Sequence, residues 1–267
     1  MAIISKQQLP FNSGYADVNG LSMYYEIYGE GKRPPLVLIH GGGSTIQTSF
    51  SNIIPLLAVD RQVIAMELQA HGRTGDRQAD LSFRQDADDI VALLRFLKIE
   101  RADFLGYSNG GQTLIELALR PAEVMHKIII ASAFYKRSAA PPAFWEGFDH
   151  ATLDMMPQVL KANFLAVNNS EAALQNMFNK DVQRMKTFED WSDAEIISIK
   201  SPTLIISGNN DVGSIEHQTE MYKTFPNAAL VILPGMHGAY MGTLDYLGDN
   251  KWHQKYTADI ITDFLDH

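Results

Sequence analysis

Ser108 stands in Gly106-Tyr107-Ser108-Asn109-Gly110, a G-x-S-x-G pentapeptide followed by another glycine, Gly111. A serine hemmed in by glycines between an apolar run and a helical pattern suits a sharp strand-to-helix bend that exposes its Oγ. Side chains at the glycine positions would crowd the bend. The helix N-terminus behind it turns free N–H groups toward developing negative charge. A plain strand-helix connection would explain the pentapeptide alone, so the serine needs a base, and the base an orienting acid. Of the eight histidines, His237 in "ALVILPGMHGAY" is the best base, because a loop after an apolar run can carry it over a sheet edge. Asp211 in "PTLIISGNNDVG" is the best orienter, and no carboxylate follows the alternative run "KIIIASAFYK". The order Ser108, Asp211, His237 is the one expected for a serine at the top of a parallel sheet. Acyl transfer also needs oxyanion donors, which "LIHGGGSTIQTSF" can supply from the main chain. The backbone N–H groups of Gly42 and Asn109 form the expected pair, with Gly43 as a candidate third donor. His40 is read as a ring that supports this loop, not as a second base.

The elements that must position these groups are legible as short apolar runs. "YADVNGLSMYYEIYG" predicts a hairpin turning at Asn19-Gly20, with Leu21, Met23, Tyr25 and Ile27 on one face. Then come "PPLVLIH", "RQVIAMEL", "ADFLGYS", "KIIIASA", "PTLIISG" and "ALVILPG". Runs without alternation suit strands buried on both faces, as in a parallel sheet. Helical patterns fall between them. "SFRQDADDIVALLRFLKI" opens with Ser82 and Gln85 at capping-box spacing, "GGQTLIELALR" is cut off by Pro121, and "HQKYTADIITDFLDH" closes the chain. This alternation predicts an α/β fold with a doubly wound, mostly parallel sheet. Residues 134–199 break the rhythm with helix-like stretches and no buried strand. The expected division is therefore a core of residues 1–133 and 200–267 with residues 134–199 inserted after the sixth strand.

Composition narrows the partners. The 267 residues are 46% hydrophobic and 20% charged, ordinary for one globular domain. A net charge of −9 argues against nucleic-acid and anionic-membrane partners. The absence of cysteine removes thiol nucleophiles, thiolate metal sites and disulfides. No Cys/His ligand cluster and no phosphate loop ahead of a lysine are visible, so neither metal nor organic cofactor is expected. No apolar run reaches the length of a bilayer span, and the opening stretch lacks a leader-like apolar core, so a cytoplasmic location is expected. A small-molecule substrate is the expected partner. The sequence sets no oligomeric state, and a homodimer stays open.

With "HGGG", "GYSNG", "NND" and "GMHG" all at expected strand ends, the chain resembles the α/β-hydrolase superfamily over most of its length. In style it is similar to small cap-bearing serine esterases, cofactor-free haloperoxidase-like enzymes and C–C bond hydrolases. "ELQAHGRTGD" looks like the loop after the fourth strand in such proteins, with Glu67 in place of an Asp and Gln69-Ala70 in place of Arg-Gly. A structural role is inferred for His71-Gly72-Arg73. The resemblance implies a catalytic triad of Ser108, His237 and Asp211 acting through an acyl-enzyme, a nucleophile elbow, an oxyanion hole, and a helical cap over the site. Substrate choice would lie in the cap, with Trp145, Met156, Phe178 and Trp191 as candidate contacts. Arg137, Arg184 and Lys186 are read as solvated surface charge. The leading expectation is hydrolysis of a small to medium apolar carboxylic ester. The alternatives are cleavage of a vinylogous diketone, lactonase, thioesterase or acyltransferase activity, and a slow-turnover ligand sensor of the same fold.

Overall fold

The computed structural model describes residues 11–120, 124–246 and 251–267. Pro121, expected to stop a helix, and the opening ten residues, read for a leader, lie outside the described residues. Among the described residues eight strands form one sheet: β1 (Phe11–Val18), β2 (Leu21–Tyr28), β3 (Leu36–Ile39), β4 (Val63–Met66), β5 (Ala102–Tyr107), β6 (Met125–Ala131), β7 (Thr203–Asn210) and β8 (Ala228–Met236). Their spatial order is β1-β2-β4-β3-β5-β6-β7-β8. β1 and β2 pair antiparallel across the predicted turn. Asn19 and Gly20 both take positive φ there, 47° and 77°, as a mirror-image hairpin turn requires. β2 is antiparallel to β4, and every pair from β4 to β8 is parallel. Each apolar run became a strand.

Ten helices accompany the sheet among the described residues: α1 (Ile46–Phe50), α2 (Ile54–Leu57), α3 (Phe83–Phe96), α4 (Asn109–Ala118), α5 (Pro142–Gly147), α6 (Gln158–Asn168), α7 (Glu171–Lys186), α8 (Asp193–Ser198), α9 (Ile215–Thr224) and α10 (Lys251–Asp266). Alternate strand residues face opposite ways, so Leu36, Leu38, Val63 and Leu105 pack with Phe50 and Ile261 on one face. Val37, Ile39, Ile64 and Phe104 pack with Ile90, Leu93 and Leu114 on the other. Both faces are dry, which is why the runs show no polar alternation. Ser82 caps α3 by accepting the Gln85 N–H at 3.1 Å. Only that half of the expected capping box forms, because the Gln85 amide turns to Asp89 instead, at 2.9 Å.

Between β6 and β7, residues 134–199 hold α5 to α8 and short 3-10 turns, with no strand. The stretch "FWEGFDHATLDMMPQVLKANFL" is not one helix: α5 ends at Gly147 and α6 begins after Pro157. Among the described residues no helix is long and apolar enough to cross a membrane.

The junction of β5 and α4 is tightly packed. A Cβ on Gly106 would lie 2.2 Å from the Gly110 carbonyl oxygen, a backbone atom that cannot step aside. Ser108 takes φ 52° and ψ −124°, a sparsely populated conformation for a residue with a Cβ. Such a conformation stores about 1–3 kcal/mol. Glycine at this position would shed the strain and lose roughly 0.4–1 kcal/mol through its freer unfolded chain. Ser108→Gly should therefore be more stable than Ser108→Ala by about 1 kcal/mol in urea unfolding. Equal stability of the two would show that the bend is unstrained.

Candidate active site

Strand register brings the predicted groups together. The last rung of β7 and β8 pairs Asn210 with Met236, so Asp211 and His237 leave the sheet side by side. β3 pairs with β5 through Ile39 and Gly106, so the loop from His40 emerges beside Ser108. His237 Nε2 lies 2.9 Å from Ser108 Oγ, and His237 Nδ1 lies 2.5 Å from Asp211 Oδ1. The Ser108 hydroxyl is free for this contact, because it does not cap α4. The geometry sets the tautomer: Nδ1–H donates to the carboxylate and Nε2 accepts from the hydroxyl. The Tyr107 ring packs 5.2 Å from the imidazole and limits its swing.

Asp211 is held on both oxygens. Oδ1 also accepts the Val212 N–H at 2.8 Å. Oδ2 accepts from Ser132 Oγ at 2.6 Å, Ser207 Oγ at 3.1 Å and the Gly208 N–H at 3.1 Å. Burial opposes its charge, but the hydrogen bond and charge of His237, with Ser132 and Gly208 behind them, bring its carboxyl down to about 2. It is ionised wherever the imidazole needs an acceptor. Ser132 follows β6, the strand end where no carboxylate was found in the sequence. Its contribution to the site was missed there, because a serine in that loop carries no distinguishing pattern.

The glycine loop lies against the bend. A Cβ on Gly42 would meet the Asn109 side-chain amide at 2.5 Å, so a larger residue there would have to displace that side chain. Among the described residues, neither the Gly42 N–H nor the Asn109 N–H donates to a protein acceptor. The third expected donor is a correction: the Gly43 N–H already donates to Asp181 Oδ2 at 2.5 Å and is not free. His40 is fully buried, with Nδ1 against the Gly41 carbonyl at 2.7 Å and Nε2 accepting the Leu68 N–H at 3.0 Å. Burial, then the neighbouring His71, hold it down to about 3, so it is neutral and structural, as read from the sequence. His71 is also buried, with Nδ1 on the Gln69 carbonyl at 2.8 Å and Nε2 on Asp181 at 2.9 Å. Burial would lower its pKa, but the Asp181 carboxylate outweighs burial and raises it. Ala70 keeps a left-handed φ of 65°, and its methyl joins Met156, Leu160 and Phe164 in an apolar cluster.

A cavity of about 410 Å³ opens over Ser108 and His237. Its wall is mainly apolar and rich in methionine, with Met156, Met177, Met185, Phe148 and Phe178 contributed by residues 134–199. Met156 and Phe178, two of the candidate contacts, line it. Trp145 and Trp191 do not. Trp145 is packed among Phe134, Phe144 and Phe188 with Nε1 on the Arg137 carbonyl. Trp191 stacks with Phe83 and Phe188 and donates to Glu116. Large aromatic rings served the packing of the insertion on the sheet. Arg184 is also a correction: it is buried and paired with Asp86 at 2.8 Å, not solvated. Burial raises the Asp86 carboxyl to about 6 despite that partner. Among the described residues no three His, Asp or Glu side chains are grouped to hold a metal ion.

The pattern described as the alpha/beta hydrolase family matches residues 36–242. A 2-hydroxymuconate semialdehyde hydrolase from Pseudomonas sp. (strain CF600) is 28% identical over 201 residues, 66% of this chain and 70% of that protein. An uncharacterized hydrolase, YugF, from Bacillus subtilis (strain 168) is 32% identical over 124 residues, 45% of each protein, so the chain spans less than half the length of this curated relative. The solved structure of a 2-hydroxy-6-oxo-6-phenylhexa-2,4-dienoate hydrolase from Rhodococcus sp. strain RHA1 superposes with a TM-score of 0.80 at 17% identity, over 97% of this chain and 100% of that one. That last likeness concerns the fold. The match over residues 36–242 makes this chain a member of the alpha/beta hydrolase family.

Proposed function

We propose that the chain is a serine hydrolase that cleaves carboxylic esters of small to medium apolar substrates through an acyl-enzyme. The observation that carries this reading is the relay from Ser108 Oγ through His237 to Asp211, at 2.9 and 2.5 Å, opening into an apolar cavity. Ser108 Oγ attacks the ester carbonyl carbon as His237 Nε2 takes its proton. The carbonyl π pair moves to oxygen, which the unclaimed N–H groups of Gly42 and Asn109 receive. Collapse expels the alkoxide with the proton from His237. Water, deprotonated by the same nitrogen, then releases the acid and regenerates Ser108. Asp211 keeps Nδ1 protonated and balances the imidazolium. Residues 134–199 act as a helical cap, since they supply most of the cavity wall.

A second reading, cleavage of a vinylogous diketone, is favoured by the likeness to the 2-hydroxymuconate semialdehyde hydrolase. The wall speaks against substrates of the dienoate kind. Neither Lys nor Arg lines the cavity among the described residues, and its acidic side chain is Asp181. A substrate carboxylate would be desolvated there without a cation, which costs several kcal/mol on the order of an unpaired buried charge.

A fluorophosphonate probe should give one adduct, on Ser108, read by peptide mass and lost in Ser108→Ala; labelling elsewhere would overturn the assignment. Asp211→Asn should lower kcat on the order of 10³- to 10⁴-fold through the wrong imidazole tautomer, and near-normal turnover would point to another carboxylate. In a substrate panel, aryl acetates and butyrates should turn over while carboxylate-bearing diketones do not. The reverse preference would make the second reading the correct one.

A further inference from the structure

Asp181 sits on α7 at the cavity wall, yet its carboxylate is not a free charge facing the substrate. Oδ2 accepts both the Gly43 N–H at 2.5 Å and His71 Nε2 at 2.9 Å. Oδ1 accepts from Arg184, whose other nitrogen reaches Asp86 Oδ2 at 2.8 Å. The four charged groups come from three places: His71 from the loop after β4, Asp86 from α3, and Asp181 and Arg184 from the insertion. His40, 4.9 Å ring to ring from His71, completes the surroundings as a neutral imidazole. Two protonated bases and two carboxylates balance. Such a buried quartet is poor cement, because apolar side chains of similar size commonly hold helices as well or better. What a carboxylate on α7 does that leucine could not is accept the Gly43 N–H.

That acceptance bears on the neighbouring peptide. The Gly41 carbonyl is held from the other side by His40 Nδ1 at 2.7 Å and by the Ser44 N–H at 3.3 Å. Gly43 takes φ 65°. The Gly42 N–H, the group without a protein acceptor, shares one planar peptide with that Gly41 carbonyl, and the next peptide is held at its Gly43 N–H, so the torsions at Gly42 that join the two are fixed from both ends. Glycine peptides rotate readily, so a three-glycine loop needs such outside anchors to keep one N–H aimed. A misplacement of about 1 Å in a catalytic group is enough to cost on the order of 10²-fold in rate.

We propose that Asp181 is a positioning residue for the oxyanion donor: through the Gly43 N–H it fixes the Gly42–Gly43 peptide, so that the aim of the Gly42 N–H depends on α7 being docked. This rests on the proposed serine hydrolase chemistry. An asparagine would turn its oxygen to Arg184, which is always protonated, and set its NH2 against the Gly43 N–H and His71, so it removes the acceptor at Gly43.

The test compares the full chain with Asp181→Asn on an aryl butyrate, with Ser108 labelling and the Gly43 amide resonance recorded for both. The expected result is a kcat lower on the order of 10- to 100-fold with KM changed by less than about three-fold. The Gly43 amide proton should shift upfield and exchange faster in the variant. Unchanged kcat, or an unchanged Gly43 resonance, overturns the positioning role while active, labelled wild-type protein leaves the hydrolase reading standing. Wild-type protein with neither turnover nor labelling overturns both. Should Asp181→Asn fail to fold, Asp181→Glu keeps the charge for Arg184 and His71 and displaces the acceptor at Gly43 by one methylene; the same kcat loss is expected, and wild-type kcat overturns the proposal.

Discussion

Groups from residues 108, 211 and 237 can meet over one point because β5, β7 and β8 run parallel and end at the same edge of the sheet. In a parallel sheet the register of each pair decides which loop residues emerge as neighbours. Asn210 opposite Met236 delivers Asp211 to His237 at once, with no intervening loop to misplace them. Ser108 is delivered by a bend instead, and the bend is strained. The strain is tolerated because Gly106 and Gly110 let α4 and β3 close around it at contact distances that no Cβ would permit.

The second constraint is electrostatic. The site edge of the sheet carries two fully buried histidines 4.9 Å apart, and their protonation states must differ. His40 accepts from the Leu68 N–H, which fixes it as neutral, while His71 donates at both nitrogens and carries the charge. Only His71 has a carboxylate within reach. Its contribution to stability is complete below the ordinary histidine pKa and is lost as pH rises through the raised value. Asp211 works in the opposite sense: its contribution is present above the ordinary carboxylate pKa and fades as pH falls toward about 2.

Much of this is legible in the sequence alone. Asn19-Gly20 and the six unalternating apolar runs specified the strands, since buried parallel strands leave a compositional trace. Ser108, Asp211 and His237 stood out because turn residues isolate them at strand ends. The glycine loop was legible as well, but not which of its N–H groups is spoken for, because the acceptor on Gly43 comes from Asp181, more than a hundred residues away. Trp145 and Trp191 were misplaced for a related reason. Hydrophobicity says that a ring is buried, not whether it faces a neighbour or a cavity. Arg184 looks solvated in the sequence because a charge on an amphipathic helix is ordinary surface patterning, and its partner Asp86 is far off in the chain.

The methionines of the cavity wall carry one more consequence. Met156, Met177 and Met185 are unbranched, with three rotatable bonds each and a soft sulfur. A wall of this kind yields to guests of different outline by exchanging rotamers, where leucine or valine would clash. Its resting volume is therefore a floor for what can enter and not a mould, and the rigid part of recognition is left to the backbone around the glycine loop.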